Sequence, residues 1–201
     1  MEKSLRKIFN ENYSEEKYHS FLEDIHSLCK MKPDFRVAET PVFISNVFKD
    51  KMLDTCESII DFILEDNFKA LTENSIPEIF HLPNENQHPE MLVFDFGICE
   101  NNQNEIEPQL IEMQGFPSIY GFQIIADELY RKTYNLPEKL SSYLNGYNKE
   151  SYIELLKSII FGDFSTENVI LLEIEPEKQK TKIDFYSNFF SNNSIACPPQ
   201  I

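Results

Sequence analysis

The chain is predicted to be α/β or α+β, with a mixed β-sheet flanked by helices. Three observations carry this. Apolar residues recur at helical spacing over 14–30, 45–66 and 149–160. Short apolar runs at 91–97, 107–113 and 168–174 are bounded by polar or proline-rich stretches and read as strands. The two kinds of segment alternate, which is the pattern of helices packed on a sheet. With 201 residues and 41% hydrophobic content there is material for one core, so a single domain over 1–190 is expected, with 191–201 as a loose tail.

The elements follow in order. Ser14 can cap a helix whose first turn holds Glu15 and Glu16, acids that suit the positive end of the dipole. Its apolar stripe is Tyr18, Phe21, Leu22, Ile25, Leu28 and Cys29, and Pro33 ends the segment. Val42-Phe43-Ile44 reads as a short strand. Ser45 or Asn46 then caps a long helix to about Asp66, with Met52, Leu53, Cys56, Ile59, Ile60 and Ile63 expected on its buried face. A short helix is expected over 67–73. Pro77, Pro83 and Pro89, among Asn and Gln, mark 74–90 as loop. The strand from Met91, a polar turn at Glu100 to Asn104 and the strand from Glu107 to Met113 suggest a hairpin. Gly115 to Ser118 starts a helix that runs to about Lys132. A further helix covers Lys149 to Ile160, a strand covers 168–174, and Pro176 opens a last helix.

Charge and composition exclude several classes. The chain has 34 acidic and 18 basic residues, a formal net charge of −16. Such a chain repels phosphate backbones and anionic lipid, so no nucleic-acid or membrane-surface partner is expected. The 5 glycines form neither GxGxxG nor GxxxxGK, which excludes the common glycine-rich phosphate cradles. The charged start leads into no apolar stretch, so a signal peptide is not expected. Cys29, Cys56, Cys99 and Cys197 make no CxxC pair and read as reduced thiols of a cytoplasmic protein.

The richest stretch for chemistry is 91–123. Asp95 stands inside an apolar strand, and Glu112 inside another. An acid in a buried strand is costly unless it is paired, hydrogen-bonded or metal-bound. Gln114 falls two residues after Glu112, so strand alternation puts both on one face. Two carboxylates and an amide oxygen from neighbouring strands make a hard oxygen site suited to magnesium holding phosphates. On spacing alone the same residues more often are acids that hydrogen-bond local backbone at strand ends.

Asp95, followed by Leu110-Ile-Glu-Met-Gln-Gly-Phe-Pro-Ser118, resembles the metal-binding segment of circularly permuted ATP-grasp proteins of the glutathionylspermidine-synthetase-like branch. That family has Arg-x-Asp on one strand, then Glu-x-Asn and a proline-containing turn into a helix. Here the matching positions are Val93-x-Asp95, Glu112-x-Gln114 and Pro117-Ser118. The resemblance implies magnesium and ATP as cofactors, with Asp95, Glu112 and Gln114 as metal ligands. It is weaker over 169–184, where Glu175, Glu177 and Thr181 are the counterparts, with Lys180 a phosphate contact. Val93 replaces the family's arginine, and Gln114 replaces its asparagine with a longer side chain. Family members are longer, so the chain resembles an N-terminal portion, with a second chain as a conceivable source of the rest. The activity implied is that of a partial Mg-ATP-dependent carboxylate–amine ligase. The alternative is a non-catalytic remnant or partner-binding module of the same fold. A third reading is a metal-dependent hydrolase built on Asp95 and Glu112.

Other residues read more plainly. His19, Glu23 and His26 share a helical face away from the apolar stripe, as a solvated surface does. His81 and His88 lie in a polar loop. Cys99, beside Glu100, reads as structural rather than as a reactive thiolate. The run Lys178 to Lys182 is either helix-surface charge or a contact for phosphate. Phe94, Phe96, Phe116, Tyr120 and Phe122 read as core aromatics.

Overall fold

The computed structural model describes residues 2–29, 32–33, 35–81, 83–84, 88–115 and 120–170. Among them are six α-helices and a two-stranded antiparallel sheet: α1 (Lys3–Asn12), α2 (Glu15–Cys29), α3 (Asn46–Ile63), α4 (Phe68–Thr72), β1 (Val93–Glu100), β2 (Ile106–Gln114), α5 (Tyr120–Tyr134) and α6 (Lys149–Phe161). The sequence prediction of helices combined with strands holds. Among the described residues the sheet is a hairpin of β1 and β2, and no third strand joins it. The predicted strand at 168–174 falls partly outside the described residues. Its described part ends a short 3-10 turn at Asn168 and continues without strand pairing through Ile170. The predicted helix after Pro176 and the tail lie outside the described residues.

The chain divides into two compact units. One holds residues 3–42 with 118–201, and its core is the seam between α2 and α5. Phe21, Ile25 and Cys29 of α2 are fully buried against Phe122, Ile125, Ala126 and Leu129 of α5. Their spacing along each helix is that of a single apolar face. Aromatic rings fill the rest: Phe21 packs on Tyr130 at 4.5 Å between centroids, and Phe9 of α1 on Tyr134 at 4.5 Å. Tyr18 donates to the Val37 carbonyl at 2.7 Å, and Tyr130 donates to the Ala38 carbonyl, which ties the segment after α2 to the helices. Leu28, expected on the buried stripe, is instead 44% exposed. It stands one residue from Cys29, and an α-helix turns about 100° per residue.

The other unit holds residues 1–2 and 43–117. Ser45 caps α3 as the sequence predicts, its side chain accepting the Phe48 N–H at 3.2 Å. The predicted buried face of α3 is only half-buried; Phe48 is its one buried residue among those described. The reason is the small sheet. A two-stranded hairpin offers α3 one narrow surface, and α3 packs chiefly on β2 among the described elements. Val42 to Ile44, predicted as a strand, joins no sheet among the described residues; the Phe43 carbonyl accepts the Glu2 N–H.

The hairpin loop is set by asparagines. Asn101 Oδ1 accepts the N–H groups of Gln103 and Glu105, both at 2.9 Å, and Asn104 takes a left-handed φ of 59°. Asparagine tolerates that conformation and makes such local turns. Asn101→Ala removes the acceptor of both N–H groups. It is expected to destabilise the hairpin by about 1–2 kcal/mol, measured by urea unfolding.

Candidate functional site

The register of the hairpin decides what the predicted ligands can do. Val93 pairs with Gln114, Phe94 with Met113 and Asp95 with Glu112. The register then slips, and Phe96 pairs with Leu110, leaving Ile111 as a bulge. Asp95 and Glu112 are therefore direct cross-strand neighbours. Gln114 lies on the same face, and its Nε2 donates to Glu112 Oε1 at 2.5 Å and to Asp95 Oδ2 at 3.4 Å. All three predicted ligands meet on one face of one hairpin. Among the described residues, no three His, Cys, Asp or Glu side chains converge, so this set is two carboxylates and an amide.

One expectation behind the site is corrected. Asp95 and Glu112 are not buried; both are exposed, and Gln114 is half-buried. Their apolar neighbours in sequence point to the opposite face. By strand alternation Phe94, Phe96 and Ile98 share a face with Met113, Leu110 and Ile106. The carboxylates therefore stay hydrated, and burial exerts no pressure on them to find a partner. What remains unfavourable is their mutual repulsion, because like charges directly opposite in a strand pair destabilise it. The Gln114 amide relieves part of it by donating to both acids.

This donor set fits a hard divalent cation. Two carboxylates and an amide oxygen are ligands that magnesium accepts, with water completing its shell. The amide now presents its N–H groups, so ligation by Gln114 requires it to turn and present Oε1 instead. Phosphate charge finds little help from the protein nearby. The unit that carries the hairpin has three basic residues, Lys49, Lys51 and Lys69, and no arginine.

The remaining candidates are placed as follows. Lys180, Thr181 and Glu177 lie outside the described residues, as do Glu175, Phe116 and the Lys178 to Lys182 run. His19, Glu23 and His26 are exposed on α2, with His19 Nε2 at 3.7 Å from Glu15 Oε1. His81 and His88 each meet a backbone carbonyl, of Ile76 at 3.1 Å and of Pro89 at 3.3 Å. Cys29, Cys56 and Cys99 are present as thiols. Burial raises the Cys29 thiol to about 12, which makes it inert at neutral pH. Phe122 is core as expected, whereas Phe94 and Phe96 are half-buried on the hairpin. A shallow hollow where α3 begins is lined by Ile44, Val47, Phe48 and Ile106, with Lys51 and Glu2 at its rim; the carboxylate pair lies outside it.

Two features of the site were missed in the sequence. The bulge at Ile111 has no composition signal. The exposure of the apolar hairpin face was masked by reading each apolar run as buried. Among the described residues no helix is long and apolar enough to cross a membrane. Comparison of the chain with protein-family models, curated proteins and solved structures gave no match in any of the three.

Proposed function

We propose that the face formed by Asp95, Glu112 and Gln114 is a divalent-cation site that presents magnesium to nucleotide phosphates, in an ATP-grasp-like protein acting in carboxylate–amine ligation. The supporting observation is the direct opposition of Asp95 and Glu112 across the strand pair, with Gln114 reaching both. A cation between two facing carboxylates turns a repulsive pair into two ion–ligand contacts. In the ligation, magnesium offsets the charge on the phosphates while the carboxylate is activated. Asp95 and Glu112 would hold the ion, with the Gln114 amide oxygen as a third ligand once that side chain turns. With so few basic residues in this unit, the ion itself carries the neutralisation, and ATP alone is repelled.

Thermal unfolding tests this. Magnesium with ATP at about 100 times its dissociation constant is expected to stabilise the chain by about 2.7 kcal/mol, a shift of several degrees. ATP with a chelator gives no shift, and the shift disappears in Asp95→Asn and in Glu112→Gln. Without metal, either variant melts at or slightly above the wild-type temperature, because it removes one of two facing charges. A wild type that ignores magnesium-ATP, or variants that keep the full shift, overturns the proposal.

A further inference from the structure

We propose that the outer edge of β1 accepts an added strand from a basic partner protein, in which Lys or Arg alternates with apolar residues. The two faces of the hairpin and its two edges lead to this, independently of any metal.

The faces set the side-chain pattern. One carries Asp95, Glu107 and Glu112 and no basic residue. The other carries Phe94, Phe96, Ile98, Ile106, Leu110 and Met113, with Glu100 at its loop end; none of the apolar six is fully buried, and the last four are 41–44% exposed. A strand added to the sheet alternates its side chains between these faces. Basic side chains on one side and apolar ones on the other complement both at once.

The edges set the position. β2 has Pro108 and the bulge at Ile111, two features that blunt an edge against further pairing. β1 has no proline, lysine or bulged residue over Val93–Glu100, and among the described residues its outer edge pairs with no strand. Recognition by strand addition draws affinity from main-chain hydrogen bonds and specificity from alternate side chains.

Charge selects the occupant. The unit of residues 1–2 and 43–117 holds 16 acidic residues and 3 lysines, so −13 of the chain's −16 resides there. From 70 to 130 there is no Lys or Arg. A second copy of this hairpin would set acidic face beside acidic face, so it is a poor occupant.

The test is fluorescence anisotropy of labelled peptides with the full chain, supported by amide hydrogen exchange. An alternating Lys-Val peptide is expected to bind at least about tenfold tighter than a Glu-Val or a Lys-Ser peptide of the same length. Its binding should weaken between about 0.1 M and 1 M salt. Binding should protect amides of Phe94–Cys99, and Ile98→Lys, which sets a charge on the apolar face at the open edge, should abolish it. Equal binding of the Lys-Ser peptide reduces the effect to bulk charge and overturns the proposal. Protection confined to β2 or to the helices overturns it as well, whether or not the variant folds. So does a wild type that binds no peptide.

Discussion

Phe21→Ala is expected to lower the unfolding free energy by about 3–5 kcal/mol, the largest loss of any single truncation here. Phe21 is fully buried at the seam of α2 and α5. Its ring touches Tyr130 and lies 6.2 Å from Tyr18, so truncation loses aromatic packing as well as apolar burial. The surrounding rings are anchored by hydrogen bonds from Tyr18 to Val37 and from Tyr130 to Ala38, which limits how far the site can collapse into the cavity. Chemical unfolding followed by tyrosine fluorescence reads this directly. Ile111→Ala, at a position 70% exposed, is the matched control and should stay near wild type. Equal losses at both positions would mean that the α2–α5 seam is not the core of its unit.

The second large effect is on the alkaline side. Burial, with the charges of neighbouring tyrosines and Glu39 behind it, raises the Tyr134 hydroxyl to about 12. Burial, with Asp127 and Glu128 behind it, raises Tyr143 to about 12, and burial also pushes Tyr130 upward. In the unfolded chain a tyrosine ionises near 10. The folded state therefore holds these protons more tightly. Their contribution is fully present below about pH 10 and is lost as pH rises towards 12. For Tyr134, only 3% exposed, a rise from 10 to about 12 is worth on the order of 3 kcal/mol. Unfolding should thus set in steeply above about pH 10, together with a tyrosinate absorbance change. The Tyr134 hydroxyl makes no hydrogen bond among the described residues, so Tyr134→Phe is expected to stabilise the chain by about 1 kcal/mol at neutral pH and to shift alkaline unfolding upward. Ionisation of Tyr130, Tyr134 and Tyr143 near pH 10 in the folded protein would contradict this.

Much of the fold was legible because local signals agreed with the final packing. Ser45 before an apolar period is a helix start, and it caps α3 as read. The α2 stripe through Phe21 and Ile25 is the core it was taken to be. The polar turn between two apolar runs is a hairpin loop. The failures share one cause: the sequence shows which side chains are apolar, not whether enough structure exists to cover them. Asp95 looked buried because Phe94 and Phe96 flank it, yet these neighbours alternate onto the other face of a sheet that is two strands wide among the described residues. The α3 face from Met52 to Ile63 was half-covered for the same reason. Val42 to Ile44 has strand-like residues but no strand to join among those described. The charges of Lys3, Arg6 and Lys7 hide α1 in the sequence, because its anchor, Phe9, is buried and its ring packs on Tyr134 of a later helix, a contact no local pattern shows. The candidate site fared differently. The two-residue spacing of Glu112 and Gln114 correctly implied one face, while the opposition of Asp95 and Glu112 depended on a register that the bulge at Ile111 shifts and composition does not encode.

The claim on which the functional reading rests is that Asp95 and Glu112 together grip a divalent cation. Manganese titration followed by electron paramagnetic resonance reads it most directly, because bound manganese leaves the sharp signal of the free ion. A saturable manganese site that magnesium displaces is expected, absent from both Asp95→Asn and Glu112→Gln and weakened in Gln114→Ala. Manganese binding that is identical in wild type and in the Asp95→Asn, Glu112→Gln double variant would contradict it, as would no binding at all to a folded wild-type chain.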